Sequence, residues 1–397
     1  MSQLRDDPFT TSAYLPIPIK SFLLRLRSWY GRFERPISSL SVIAGFVFDA
    51  VALRRVDVFW DNFWVVAHLA IVTACAVWIN LLDDSAEENG MQPEANPRRL
   101  HFWLVNVMQF FFGGIISVYL VFYFRSGTIA TSWPFLSLLG LTFIANGSLK
   151  RRFSRLWFQI ALLFLAFYAF AIYMMPILLH EVSTRVFWLS SAVSVAAIAL
   201  ILLVVAVLSR RRFAGGRGWL VFGSLAGILT VVNTLYFLNV IPPLPLSLKD
   251  AGVYHSLVAK GPGDYTVTVE PQSPNALASI EVLARFLAFT QAVHVTPGES
   301  LVVYTAVFAP TALSMKIIHE WQYYDQATGT WITRHRVPLA VVGGRGGGYR
   351  TFSRESGITA GRWRVNVETQ SGQLIGRLNF NAVVQSEEPP LLKEIIS

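Results

Sequence analysis

The chain has 397 residues, of which 53% are hydrophobic and 14% charged, and its formal net charge is +9. Ordinary soluble domains carry roughly 25% charged residues, so this composition indicates an integral membrane protein and argues against a nucleic-acid-binding one. The single cysteine, Cys75, excludes a disulfide within the chain and a cysteine-rich metal site.

The first 37 residues are predicted to be a cytoplasmic N-terminus. Within them, residues 18–33 form a basic amphipathic segment: at about 100° per residue, apolar side chains such as Phe22 and Leu26 fall opposite Lys20 and Arg27. The pattern predicts a helix that lies on the cytoplasmic leaflet or packs on the cytoplasmic end of a helical bundle. No cleavable signal peptide is expected, because the segment lacks a long apolar core.

Residues 38–241 are predicted to be a transmembrane α-helical bundle of about seven helices. Seven apolar runs are long enough to be considered as crossings, although the first is short and contains Asp49. They lie at 38–53, 60–82, 102–124, 128–147, 157–179, 186–208 and 218–240.

The distribution of loop charge supports seven crossings. If all seven runs cross with the N-terminus inside, the cytoplasmic segments hold 16 Lys and Arg residues and the outer loops hold 4. If the run 38–53 does not cross, each side holds ten Lys and Arg residues. Cytoplasmic loops are enriched in Lys and Arg, so the N-terminus is predicted to be cytoplasmic and the C-terminal domain periplasmic, in a bacterial inner membrane.

Two ionisable residues within the apolar runs, Asp49 and His68, are candidate functional groups, because such groups are costly in a membrane. Both are predicted in the outer half of adjacent helices, where a hydrogen bond between them is geometrically feasible. A polar pair can also simply hold two helices together, and this structural interpretation is favoured.

Three prolines in Ile241-Pro242-Pro243-Leu244-Pro245 end the last helix, and residues 242–262 are predicted to be a Pro-rich spacer. Residues 263–386 then show alternating segments separated by turns, which predicts an all-β sandwich, with 387–397 as a tail. Predicted strands include Leu301–Phe308, Ser314–Tyr323 and Thr330–Arg336, the last two as a hairpin. In the second strand Ile317, His319 and Trp321 share one face and Glu320 and Gln322 the other.

Several motifs in the second half resemble a bacterial domain family of unknown function, number 2914. They are Val307-Phe308-Ala309-Pro310, His319-Glu320-Trp321-Gln322-Tyr323-Tyr324, the stretch Gly343 to Arg350, and Gly361-Arg362-Trp363-Arg364-Val365. The membrane half, with Ala44-Gly45-Phe46-Val47-Phe48-Asp49 and Arg55-Val56-Asp57, is similar to family number 5924. The resemblance implies a bacterial envelope protein with an immunoglobulin-like outer domain, and it implies no activity.

Neither a metal site nor a catalytic site is predicted. Adjacent strand residues such as His319 and Glu320 point to opposite faces, so His319 is expected to be a hydrogen-bonded core residue. The glycine-rich loop 343–348 lacks the Lys-Ser/Thr ending and the following helix of a nucleotide-binding loop. No cofactor is expected.

The same loop suggests a site for an anion or a glycan. Arginine forks and backbone N–H groups bind anions, and an aromatic ring can stack on a sugar. The candidate residues are Arg345, Tyr349, Arg350, Arg354 and Trp331. The alternative is a hairpin tip with solvated arginines.

The sequence therefore predicts a non-enzymatic inner-membrane protein whose periplasmic sandwich binds another envelope or membrane protein, as a scaffold or accessory subunit. The alternative is a transporter or receptor for an anionic lipid, glycan or small ligand. Membrane lipids are expected partners in both cases, and nucleic acid in neither.

Overall fold

The structure is a computed structural model, which describes residues 46–53, 55–88, 99–126, 129–148, 155–208, 216–261, 264–271, 291–311 and 313–396. The first half of the described chain is helical. A short helix, α1, covers residues 46–52, and the helices after it are α2 (Phe59–Glu88), α3 (Arg99–Ser126), α4 (Ile129–Ser148), α5 (Leu156–Leu179), α6 (Thr184–Leu208) and α7 (Gly216–Phe237).

Five of these helices are long and apolar enough to cross a membrane. The apolar spans in α2, α3, α5, α6 and α7 are 20 to 27 residues long, and the apolar part of α4, Ser132–Ile144, is shorter. Residues 38–45 of the predicted run 38–53 lie outside the described residues, and the amphipathic segment 18–33 lies wholly outside them. The coarser prediction of a membrane bundle is thus supported, whereas seven crossings remain a prediction.

Exposed tryptophans lie near both ends of the bundle. Trp60 on α2 and Trp188 on α6 lie at the end that carries the β domain, and Trp103 on α3 and Trp219 on α7 lie at the other. Tryptophan is enriched at the two interfaces between a membrane and water. The two groups therefore mark the levels expected for the lipid headgroups.

The centre of the bundle is α5, whose side chains are buried along most of its length. Tyr119 and Tyr123 on α3 donate hydrogen bonds of 2.9 and 2.8 Å to the carbonyl oxygens of Ala166 and Ala169 on α5. Polar contacts between helices replace the hydrophobic effect, which does not drive helix association within lipid. The tyrosines thus fix α3 against α5.

Several amide side chains within the bundle join neighbouring helices. Asn80 on α2 donates to Gln159 on α5 at 2.7 Å, and Gln109 on α3 and Asn146 on α4 each donate to the other's carbonyl oxygen. Gly113 lies inside the continuous helix α3. A Cβ there would be 2.8 Å from Asn146 Nδ2, so the glycine makes room for this contact.

The second half of the described chain, called here the β domain, consists of three sheets. One has the strand order β1-β5-β8, the second β4-β10-β9-β6-β7 and the third β11-β3-β2. Neighbouring strands are antiparallel except for β4 and β10. The strands are β1 (Ser247–Tyr254), β2 (Ser256–Gly261), β3 (Asp264–Val269), β4 (Gln291–Val295), β5 (Ser300–Phe308), β6 (Ser314–Asp325), β7 (Thr330–Val342), β8 (Tyr349–Ser356), β9 (Gly361–Thr369), β10 (Leu374–Val384) and β11 (Leu392–Ile396).

The sheet β1-β5-β8 is the middle of three layers, and β5 is buried on both faces. Leu301 and Val303 pack with Trp321 and Trp363 of the five-stranded sheet. Tyr304 and its neighbours on the other face of β5 pack against the third sheet. A strand buried on both faces needs a continuous apolar run, and residues 301–308 provide one.

The predicted strands Leu301–Phe308, Ser314–Tyr323 and Thr330–Arg336 are confirmed as parts of β5, β6 and β7, and β6 and β7 form the predicted hairpin. Two assignments differ from the structure. Residues 242–262, expected to be a spacer, contain β1 and β2, because β1 pairs with β5 along its length. The expected tail 387–397 contains β11, which pairs with β3.

The β domain contacts the bundle directly. Phe308 at the end of β5 belongs to the same buried cluster as Ile241, Leu244 and the helix side chains. Ser126, the last residue of α3, donates a hydrogen bond to the carbonyl oxygen of Leu246. The proline-containing segment is therefore packed between the two parts of the chain.

Candidate functional site

The five residues predicted to form an anion or glycan site lie in three places. Trp331 lies at the hairpin end of β7, and Arg345 and Tyr349 lie beyond the other end, where the Arg345 guanidinium carbon is 5.3 Å from the Tyr349 ring centroid. A strand rises about 3.3 Å per residue, so β7 separates the two places by roughly 36 Å. Arg350 and Arg354 lie on β8, on the face opposite Tyr349. The structure therefore does not bring the five residues together.

Asp49 and His68 make separate hydrogen bonds. Ser117 on α3 donates to Asp49 Oδ2 at 2.5 Å, and His68 Nδ1 lies 2.7 Å from the carbonyl oxygen of Trp64, one turn earlier in α2. His68 also packs against the Phe111 ring, with centroids 4.9 Å apart. Asp49 thus joins α1 to α3, as expected of a polar contact that holds helices together.

His319 is a buried core residue, as predicted. Its Nε2 lies 2.9 Å from Thr305 Oγ1 and its Nδ1 lies 2.9 Å from Ser353 Oγ, which also accepts a hydrogen bond from Trp321 Nε1. Burial lowers the pKa of His319 to about 4, so the ring is neutral at pH 7. Among the described residues no group of three or more His, Cys, Asp or Glu side chains is placed to hold a metal ion.

Backbone hydrogen bonds hold the glycine-rich loop 343–348 in place, two to a neighbouring segment and one within the loop. The N–H groups of Gly343, Gly344 and Gly348 donate to the carbonyl oxygens of Leu313, Ala309 and Arg345 at 2.8, 3.1 and 3.0 Å. These three N–H groups are already hydrogen-bonded within the protein. Fewer backbone N–H groups therefore remain to bind a phosphate than in a phosphate-binding loop.

An organised set of polar side chains covers the outer face of the five-stranded sheet, and we call it the arginine face. Alternate residues of β6, β7, β9 and β10 point to this face, away from the core. We define it by the charged and aromatic residues that hydrogen-bond or stack with one another there, which are Glu320, Tyr324, Trp331, Arg336, Arg362, Arg364, Glu368 and Arg377.

Hydrogen bonds run across the four strands of the arginine face. Arg336 donates to Glu320 Oε1 at 3.2 Å and to Glu368 Oε1 at 2.6 Å. Asn366 donates to Glu320 Oε2 at 3.0 Å and accepts a bond of 2.7 Å from Arg377 Nε. Arg336 thereby bridges the two carboxylates and Asn366 links Glu320 to Arg377, so these side chains are held in position without a bound partner.

Two arginines of this face stack on aromatic rings. The guanidinium carbon of Arg362 lies 3.7 Å from the Tyr324 ring centroid, and that of Arg364 lies 4.2 Å from the Trp331 ring centroid. Arg364 Nε also donates to Gln322 Oε1 at 2.6 Å. Stacking orients each guanidinium and leaves the edge that carries its remaining N–H donors for an acceptor.

The charge of the arginine face is unbalanced. Its four arginines and two glutamates have a net formal charge of +2, and Lys316 on β6 points to the same side of the sheet. Burial, together with Arg377, lowers the pKa of Arg364 to about 10, and burial and the nearby Glu320 raise the pKa of Glu368. The lowered pKa of Arg364 indicates a partly desolvated cation beside Arg377, which an anion from outside would stabilise, whereas the raised pKa of Glu368 reflects burial beside a second carboxylate.

Residues 314–382 match a family described as a protein of unknown function, DUF2914. This range contains the whole arginine face, and it agrees with the resemblance of the second half to family 2914. The predicted resemblance of the membrane half to family 5924 is not shown. No curated protein matches the chain.

Two solved structures share only weak similarity with this chain. A β-glucosidase from Listeria innocua in complex with gluconolactone is 15% identical with a TM-score of 0.17, over 23% of this chain and 15% of that one. An alkylpurine DNA glycosylase from Pseudomonas fluorescens, bound to DNA containing an abasic site analog, is 10% identical with a TM-score of 0.20, over 81% of this chain and 98% of that one. Neither similarity carries a functional conclusion.

Proposed function

We propose that this chain is a non-enzymatic inner-membrane protein whose β domain faces the periplasm and docks an acidic segment of a partner protein. The arginine face is the proposed docking surface. Its excess of two positive charges, held on stacked and hydrogen-bonded arginines, is the observation that carries the proposal. The chain would act as a scaffold or accessory subunit of a membrane assembly.

The proposed orientation is supported by loop charge and by the tryptophans. The excess of Lys and Arg in the predicted cytoplasmic segments favours seven crossings with the N-terminus inside. Exposed tryptophans near both ends of the bundle fit helices that reach both interfaces. We further propose that the two facing sheets around Trp321 and Trp363 form an immunoglobulin-like sandwich, to which the third sheet is added.

The chemistry of the arginine face favours carboxylates over a neutral sugar. A sugar stacks on an open aromatic face, and an arginine already covers one face of each of Tyr324 and Trp331. Guanidinium groups match carboxylates through paired N–H donors. Arg362 and Arg364 are two residues apart on β9, about 6.6 Å along the strand, which suits alternate acidic residues of an extended peptide.

The contact with the bundle supports a scaffold role. Leu244, Leu246 and Phe308 are buried between the helices and the sheets. Such a packed connection holds the arginine face in a defined position relative to the membrane, which favours simultaneous contact with a membrane-bound partner.

The first test compares wild type with the double variant Arg362→Ala and Arg364→Ala. Each protein is purified from its native membranes in lipid nanodiscs, and co-purifying proteins are quantified by mass spectrometry and cross-linking. We expect one partner, cross-linked through an acidic segment, to be reduced about tenfold or more in the double variant, because interface arginines commonly carry much of the binding energy.

The matched control is Arg354→Ala, which removes an exposed arginine from β8, on a different sheet. It should retain the partner at the wild-type level. Equal retention by the double variant, or a partner cross-linked through a basic or apolar segment, would contradict the proposed docking surface.

A further inference from the structure

A small cavity lies where the β domain contacts the bundle, and we call it the joint cavity. Its wall is formed by parts of α5, α6 and α7, by the segments that follow α5 and α7, and by the turn between β9 and β10. The space open to a water molecule is about 20 Å³. About 10–15 Å³ of such space is enough for one water, so the cavity suits only a very small ligand.

The amide side chain of Gln373, in the turn between β9 and β10, lines the joint cavity. Gln373 is only 4% exposed. Its backbone N–H donates to Thr369 Oγ1 at 3.1 Å, and its carbonyl oxygen accepts a bond of 2.9 Å from Thr369 N. Its side-chain amide hydrogen-bonds to no other group in the part of the chain that the structure describes. A buried amide without a partner is destabilising, which favours a partner from outside the chain.

A proline in α5 provides an acceptor at the same cavity. Pro176 lies inside α5 and has no N–H, so the carbonyl oxygen of Ile172, one turn earlier, lacks its usual donor within the helix. Both Ile172 and Pro176 line the joint cavity. In membrane helices, ordered waters are among the groups that satisfy a carbonyl freed by proline. The Ile172 carbonyl oxygen is therefore suited to accept from a donor in the cavity.

Ser183, just before α6, adds a hydroxyl group to the wall. Its Oγ accepts a bond of 3.4 Å from Val186 N, and a hydroxyl that accepts in this way keeps its O–H as a donor. None of the ten residues that line the cavity is charged. The wall therefore offers hydrogen-bond donors and acceptors but no counter-charge for an ion.

Contacts with the bundle hold the turn between β9 and β10 beside the cavity. A Cβ built on Gly372 would lie 3.6 Å from Asn239 Nδ2, just after α7. Val182, between α5 and α6, packs against the buried cluster that contains Ile375 of β10. The Gln373 amide is thus held at the joint between the two halves of the described chain.

We propose that the joint cavity binds an ordered water molecule, which donates to the carbonyl oxygen of Ile172 and hydrogen-bonds to the Gln373 amide and the Ser183 hydroxyl. Water is favoured over an empty cavity because cavities that stay dry are lined by apolar groups. Water is favoured over an ion because the wall is uncharged, and over an organic ligand because the volume is too small.

The water joins the β domain to α5, the helix at the centre of the bundle. A bridging water is nearly as favourable in enthalpy as a direct hydrogen bond. Gln373 is therefore a positioning residue, which acts through the water to fix the β domain against the bundle. The inference depends neither on partner docking at the arginine face nor on the orientation of the chain in the membrane.

The test is water-edited solid-state NMR of the full wild-type chain in proteoliposomes, with labelled glutamine and with glycine and phenylalanine labelled at the carbonyl carbon. Gly372-Gln373 is the only Gly-Gln pair in the sequence and Phe158-Gln159 the only Phe-Gln pair, so both glutamines are assigned without a variant. We expect the Gln373 side-chain amide to receive water magnetisation early. Gln159, fully buried and hydrogen-bonded to Asn80, should not. Equally slow transfer to both amides would overturn the proposal.

The variant Pro176→Ala separates the bound water from bulk solvent. It supplies an N–H to the Ile172 carbonyl oxygen and so removes the acceptor of the water, while Gln373 is unchanged. We expect the early water signal at Gln373 to be lost in Pro176→Ala and kept in the matched control Pro134→Ala, which changes the proline inside α4, away from the cavity. An early signal that persists in Pro176→Ala would assign it to bulk solvent and contradict the proposed site. The wild-type comparison decides the proposal if Pro176→Ala does not fold.

Discussion

Gly343→Ala is expected to lower the free energy of unfolding of the β domain by about 3 kcal/mol, the upper range for a clash in a packed site. A Cβ at Gly343 would lie 1.8 Å from the carbonyl oxygen of Pro310 and 2.9 Å from that of Leu313. Both atoms belong to the backbone, and the Gly343 N–H donates to the same Leu313 oxygen. The clash therefore cannot be relieved by rotating a side chain.

Gly347→Ala is the matched control, because a Cβ at Gly347 meets nothing within 4 Å. Pulse proteolysis of each full-length variant in nanodiscs, after equilibration in urea, gives the midpoint for unfolding of the β domain. The Gly343→Ala midpoint should fall well below that of wild type and Gly347→Ala should stay close to it. Similar midpoints for the two variants would show that the loop does not pack against Pro310 as described.

The β domain is expected to lose stability as the pH falls below 6.5 because of His319. The folded-state pKa of about 4 lies below the ordinary histidine value of 6.5, so the unfolded chain binds the proton more readily between these pH values. Stability from this group is therefore present above pH 6.5 and is lost as the pH falls towards 4. The linkage relation gives a loss of about 2 kcal/mol between pH 7 and pH 5.

The variant His319→Gln isolates this effect, since glutamine can accept and donate hydrogen bonds but does not titrate. Urea midpoints measured by pulse proteolysis at pH 7 and pH 5 should differ more for wild type than for the variant. A variant with the same pH dependence as wild type would assign the loss of stability to other groups.

The sequence predicts best those strands whose burial pattern follows directly from the order of apolar and polar residues within the strand. The run 301–308 is apolar throughout and becomes β5, which is buried on both faces. In β6 the alternation correctly places His319 and Trp321 in the core. β1 was missed because its sequence contains Lys249 and Asp250 after a run of prolines, and only its pairing with β5 makes it a strand.

The candidate sites were harder to predict because they depend on contacts between distant segments. Alternation correctly sends Glu320 and Arg364 to outward faces, but β6 and β9 are neighbours in the sheet and far apart in the chain. Trp331 was grouped with Arg345 because they are near in sequence, and the extended strand β7 separates them.

The most direct test of the account is the side of the membrane on which the β domain lies. Gln326, in the exposed turn between β6 and β7, is replaced by cysteine in a chain whose only native cysteine, Cys75, is serine. Spheroplasts that express this variant are treated with a membrane-impermeant maleimide before and after permeabilisation. The proposed orientation predicts full labelling of intact spheroplasts. Labelling only after permeabilisation would place the β domain in the cytoplasm and contradict the periplasmic docking surface.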